Sequence, residues 1–201
     1  GTISLTIEKV SLPILSKLFH SNIVIFKEIF FLFSKISILL ITTSSLIFCL
    51  YSYDILSFFY GEKWVDGSII LSYLSVGYLM FPVSIMSFTV FKINGDTHKY
   101  LYLGIVSKIL IVISILLTYE LSIENLLFAQ VIVKLLSSLI FISFACQSIS
   151  INLKEFLTHH FDIAFLLTIY AITQFIIKEF LNINFIVEIL ISILITYFIN
   201  K

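Results

Sequence analysis

The residue with the most chemistry to offer is Lys134. It stands near the middle of a long apolar run, about 13–15 Å from either end at a helical rise of about 1.5 Å per residue. That is deeper than a lysine reaches by snorkelling. Gln130, Lys134, Ser137 and Ser138 lie at i, i+4, i+7 and i+8 and so form one polar stripe on a helix. An ionised group in such a place needs a hydrated cavity or a buried partner, and both a cavity-facing role and a structural bond between helices satisfy that requirement. Lys108 sits two turns inside its own apolar run, close enough to the edge to reach phosphate headgroups. Gly104, Ser107 and Ser114 give its helix a small, polar side. Lys134, Gln130 and Lys108 are therefore the candidate substrate-binding residues. Their chemistry is electrostatic, since a desolvated ammonium group holds an opposite charge more strongly than an exposed one.

Other chemistries find little to build on. His20, His98, His159 and His160 all fall in segments expected to be cytoplasmic, and the adjacent pair lacks the i, i+4 spacing that would suit one metal ion. Cys49 and Cys146 lie in apolar segments far apart and read as packing residues. There is no Gly-x-x-x-x-Gly-Lys-Ser/Thr phosphate loop, and no nucleophile–base or paired-carboxylate arrangement. The sequence calls for no cofactor and does not read as an enzyme.

The elements that must position the lysines are membrane spans. The chain is 60% hydrophobic and only 12% charged, with a mean hydropathy of +1.13. Soluble domains are about 45–50% apolar and about 25% charged. Crossing a bilayer takes about 20 mostly apolar residues, and on that measure six spans are expected: 30–51, 68–91, 101–119, 125–147, 161–177 and 183–199. The runs are continuous rather than alternating, which favours helices, whose backbone satisfies itself in lipid. The fold class is thus all-α, a polytopic transmembrane bundle. It divides into a cytoplasmic helix end and loop (1–28), a central group of helices (29–150) and a terminal hairpin (151–201), in which Glu188, Ser192 and Thr196 form a protein-facing stripe. The chain opens on Gly1 within an apolar stretch, without the basic region or cleavage site of a signal peptide, and reads as part of a longer protein.

Lysine bias sets the orientation. One side collects Lys9, Lys17, Lys27, Lys92, Lys99, Lys154 and Lys201, with Lys35 near the same edge, and is assigned to the cytoplasm. The other holds Lys63 and Lys178 with most of the acidic residues. Charges balance overall, and nothing points to a nucleic-acid partner. Pro82 falls inside the second span beside Gly77, so a kink near Met80 is expected from the lost donor and the crowded turn. Between the first two spans, Ile55, Phe58 and Phe59 share a helical face, and Tyr53, Tyr60 and Trp64 are aromatics of interfacial type. A short helix ended by Gly61 is expected there, lying in the outer headgroup region.

The order of these features resembles a known family. Pro13-Ile-Leu-Ser-Lys17 precedes a long apolar span; Phe59-Tyr-Gly61-Glu-Lys-Trp64 opens directly into another; and Asn94-Gly95-Asp96 precedes a helix carrying Lys108. This resembles the C-terminal half of the polysaccharide flippases of the multidrug/oligosaccharidyl-lipid/polysaccharide exporter superfamily, the group of O-antigen and colanic-acid exporters. The resemblance covers residues 8–150, with the Gly61–Trp64 turn as its most specific piece. It departs at Leu18–Ile25, which is nearly uncharged where the family carries a charged cytoplasmic loop. It implies a flippase of the bacterial inner membrane, acting by alternating access on an oligosaccharide linked through diphosphate to a polyprenyl lipid. It also implies an N-terminal lobe outside this sequence. A membrane-embedded polysaccharide polymerase or ligase, another exporter of the superfamily with a different substrate, and a non-transporting scaffold are the rival readings. The short outer loops and the absence of Arg count against the polymerase.

Overall fold

The computed structural model describes residues 2–180 and is built of helices, with no strand among the described residues. In chain order these are α1 (Thr2–Ser21), α2 (Ile23–Leu50), α3 (Ser52–Tyr60), a 3₁₀ turn (Glu62–Gly67), α4 (Ser68–Tyr78), α5 (Phe81–Ile93), α6 (Thr97–Thr118), α7 (Ile123–Ser148) and α8 (Leu153–Phe180). Three helical stretches, Thr97–Thr118, Ile123–Ser148 and Leu153–Lys178, are long and apolar enough to cross a bilayer. Glu62–Tyr78 with Phe81–Ile93 forms a bent pair, at 42°, that meets the same test jointly. The chain is thus all-α with three such helices, or four with the bent pair. The stretch 30–51 falls on the 28-residue α2 and its C-cap, Tyr51. The expected span 183–199, with Glu188, Ser192 and Thr196, lies outside the described residues. The 161–177 stretch is longer than expected, because α8 begins at Leu153 and takes in His159 and His160.

Two helices organise the bundle. α2 packs against α1, α4, α5 and α8, while α7 packs against α4, α5 and α6. At one end a core of Leu15, Phe26, Phe30, Met86, Phe91, Ala145 and Phe156 joins the first two helices to α5, α7 and the start of α8. The expected loop around residues 18–28 is instead a single-residue break. The Asn22 side chain accepts from the amides of Val24 and Ile25, both at 3.1 Å, and so starts α2 immediately after α1.

Three of the lysines assigned to one side, Lys27, Lys92 and Lys99, are held at this same end. Lys27 donates to the Ser150 carbonyl at 3.0 Å, and Lys92 pairs with Glu8. Asp96 accepts from Lys99 at 2.9 Å, from Asn94 at 2.8 Å and from Ser148 at 3.1 Å, clasping the α5–α6 loop to the end of α7. The Lys99 hydrogen bond, with help from Asn94 and Ser148, holds the Asp96 carboxyl below the usual range. A lowered folded value stabilises above the unfolded one, about 3.9, and the contribution fades as pH falls through the folded value. Asp96→Asn should therefore lower the melting temperature slightly, as exposed pairs contribute about 1 kcal/mol or less. That difference from wild type should stay flat from about pH 5 to 8 and close below about pH 3.9; a scan of melting temperature against pH reads it.

His160 is buried on α8. Its Nε2 meets Ser34 Oγ on α2 at 2.9 Å, and its Nδ1 lies 2.7 Å from the Phe156 carbonyl. The adjacent His159 stacks on Phe31. The pair divides into a cross-helix connector and a ring contact, and among the described residues no cluster could hold a metal ion. His160→Phe strands the buried Ser34 hydroxyl, so a loss of about 1–2 kcal/mol is expected, measurable as a fall in thermal stability in detergent.

α3 ends where expected, at Gly61, whose φ of +83° is open to glycine at little cost. The expected shared face divides, however. Ile55 is buried against the protein, while Phe58, Phe59, Tyr60 and Trp64 stay largely exposed.

Candidate functional site

The site is built on the break between α4 and α5. Pro82 cannot donate to the carbonyl of Tyr78 four residues earlier, and the helix stops at Tyr78 and restarts at Phe81. The bend near Met80 is therefore where Pro82 requires it. At the same break the next carbonyl, that of Leu79, accepts from the Thr42 hydroxyl of α2 at 3.4 Å. The break leaves Gly77 and Tyr78 facing α7 at the level of Lys134.

Lys134 uses that opening. Its side chain runs over the backbone at Gly77, so closely that a Cβ there would lie 3.0 Å from its Cδ and 3.2 Å from its Nζ. The ammonium stands 5.3 Å from the centroid of the Tyr78 ring, within cation–π range. The ion pairs among the described residues, Lys92–Glu8 and Lys99–Asp96, leave both Lys134 and Lys108 without a carboxylate.

Both lysines line one cavity of about 760 Å³ between the bent pair, α6 and α7. The bent pair contributes Gly77, Tyr78, Met80, Phe81 and Ser84; α6 contributes Tyr100, Gly104, Ser107 and Lys108; and α7 contributes Lys134, Ser137 and Phe141. Aliphatic residues of α6 complete a mostly apolar wall. Two bonds set the register of the antiparallel α6 and α7: Gln130 donates to Ser114 Oγ at 2.7 Å, and Lys99 to Ser148 Oγ at 3.1 Å. Counting along both helices from these bonds places Lys108 within about one turn of Lys134 along the axis, with Ser107 and Ser137 in the same layer.

The expected polar stripe of α7 thus divides by task. Lys134 and Ser137 face the cavity. Gln130 does not line it, because its amide is engaged by Ser114 between helices. Ser138 bonds the Leu135 carbonyl of its own helix. Ser137 is buried, and its Oγ has no hydrogen-bond partner among the described residues. Tyr78 belongs to the site without having been legible as part of it; the available signal was its place four residues before Pro82 and next to Gly77. Two cations and several hydroxyls thus line one mostly apolar cavity, an arrangement able to hold an anion.

Neither protein-family models, curated proteins nor solved structures give a match to this chain.

Proposed function

We propose that the chain is the C-terminal part of a multi-pass transporter of the bacterial cytoplasmic membrane, with six spans over residues 30–199. Its substrate is an oligosaccharide linked through diphosphate to a polyprenyl lipid, moved outward by alternating access for surface polysaccharide synthesis. The observation that carries this reading is the cavity at a broken span, lined by two lysines that have no carboxylate among the described residues. An intramembrane cation facing a cavity marks a path for charge. A helix interrupted beside it is the element that transporters use to build a site at mid-membrane and to change shape around it. The order of motifs over residues 8–150 supplies the substrate class, and the lysine-rich bundle end supplies the cytoplasmic side. An N-terminal lobe would complete the transport path, and an ion gradient would drive it.

The test is deletion of the gene in its host, followed by location of the lipid-linked oligosaccharide. The expected result is loss of surface polysaccharide with the lipid-linked unit accumulating on the cytoplasmic face. Accumulation of single units on the outer face would indicate a polymerase instead, and unchanged surface polysaccharide would overturn the reading.

A further inference from the structure

We infer that a groove between α2 and α8, at the lysine-rich end of the bundle, holds a membrane phospholipid whose headgroup carries both a phosphate and a primary ammonium, namely phosphatidylethanolamine. The inference goes beyond the transport reading and needs only that the bundle lies in a bilayer.

The groove has a volume of about 860 Å³ and runs along α2, over the turn from α7 to α8. Its charged lining is of both signs: Lys27, Glu28 and Lys35 come from α2, Glu155 and His159 from α8. Among the described residues these groups make no ion pair with one another. Lys27 is spent on the Ser150 carbonyl at 3.0 Å, and the His159 ring lies on Phe31 with centroids 4.1 Å apart. That leaves Lys35 as the cation, and Glu28 and Glu155 as the carboxylates, still to be answered. A simple anion would answer the lysine and be repelled by the glutamates, whereas a zwitterion answers both.

The order of these groups fixes which way the zwitterion lies. Phe31 meets His159 near one end and Tyr51 meets Gln174 near the other, so α2 and α8 run parallel from the lysine-rich end. Glu28 and Glu155 are then the outermost of the unanswered groups. His159 lies about 6 Å deeper than Glu155, and the Lys35 backbone about 10 Å deeper than Glu28, at about 1.5 Å per residue. A lysine stem reaches several ångströms back toward the surface, which brings the Lys35 ammonium between those levels. Leu32, Ile36 and Leu40 stand exposed on one face of α2 at four-residue intervals and carry the groove inward. Carboxylates, then a cation, then hydrocarbon match phosphatidylethanolamine as it sits in a leaflet, with ammonium outermost, phosphate beneath it and acyl chains deepest. Phosphatidylglycerol has no ammonium for the carboxylates, and phosphatidylcholine has one without N–H donors, so neither completes the set.

The test uses the full chain, purified in detergent and offered equimolar phosphatidylethanolamine, phosphatidylglycerol and phosphatidylcholine with matched dioleoyl chains. Retained lipid is identified by native mass spectrometry. Phosphatidylethanolamine should be retained about fivefold or more over either competitor. Glu28→Gln combined with Glu155→Gln should abolish its advantage over phosphatidylglycerol, and Lys35→Met should lower its retention about fivefold. Lys154→Gln, at the same end but outside the groove, should change nothing. Soluble glycerophosphoethanolamine at equal concentration should not displace the lipid, because it lacks the chains that the Leu32–Leu40 stripe covers. Equal retention of the three lipids, a preference for phosphatidylglycerol, or a preference that survives the glutamate variants would overturn the inference. So would a loss in Lys154→Gln as large as in Lys35→Met, which would mark diffuse surface charge, or displacement by the soluble headgroup. Glu28 and Glu155 are exposed, so their variants carry the readout alone should Lys35→Met fail to fold.

Discussion

Lys134→Ala should reduce export of surface polysaccharide by at least about tenfold at unchanged protein level, because a hydrogen bond to a charged group contributes about 1.5–3 kcal/mol. Lys134→Arg keeps the charge and should retain part of the activity, limited by fitting a larger planar group over Gly77. The sign of the stability change separates this role from a structural one. A lysine that tied helices together would leave a gap in the hydrogen bonding when removed, and the bundle would melt earlier. Lys134 makes a ring contact with Tyr78 and has no ion pair among the described residues. Replacing a half-buried cation of this kind by an apolar residue of similar volume is neutral or stabilising. Lys134→Met should therefore melt at the same temperature as wild type or higher, while export falls. Measuring export by complementation and melting in detergent on the same variants decides the matter. Full export by the Ala variant would remove Lys134 from the mechanism.

Gly77→Leu should lower export about as strongly as loss of Lys134 itself, although residue 77 carries no charge in either form. The reason is steric. Even a methyl group would lie 3.0 Å from Lys134 Cδ and 3.2 Å from Nζ, inside ordinary van der Waals contact. Gly77→Ala asks the flexible lysine to give by a few tenths of an ångström, so its effect should be small. A leucine takes the whole berth and drives the ammonium off the Tyr78 ring and out of the layer it shares with Lys108. The two positions then act as one: in a double-mutant cycle, Gly77→Leu should cost little further export once Lys134 is Met. Additive losses would show that Gly77 acts on the bend and not on the lysine.

Several of these features were legible before any coordinates. Pro82 announced the bend because a missing donor is a property of the residue type, and Gly61 announced the end of α3 for a similarly local reason. Lys134 was legible as a candidate because a charge within a long apolar run must be accounted for wherever it points. What it faces was not. Gln130 shares its stripe, yet Gln130 is engaged by Ser114 and Lys134 opens on the cavity. The difference lies in how α6 and α7 slide against each other, which neither helix encodes alone. The same holds for His160, which sits beside His159 in sequence yet bridges α8 to α2 through Ser34. The six-span count illustrates the opposite case. Hydropathy finds apolar stretches readily, while the described helices meet the length and apolarity test in three cases and in one bent pair.

The hydroxyl of Thr42 on the Leu79 carbonyl gives the bend a property that Pro82 alone would not. A carbonyl left open at a helix break inside a bilayer must find another donor, and water is scarce there. For Leu79 that donor belongs to a neighbouring helix and sits on a buried, β-branched side chain whose rotamer is stiff. The break is therefore moored to α2 from outside, and any change in its angle has to be made against that mooring.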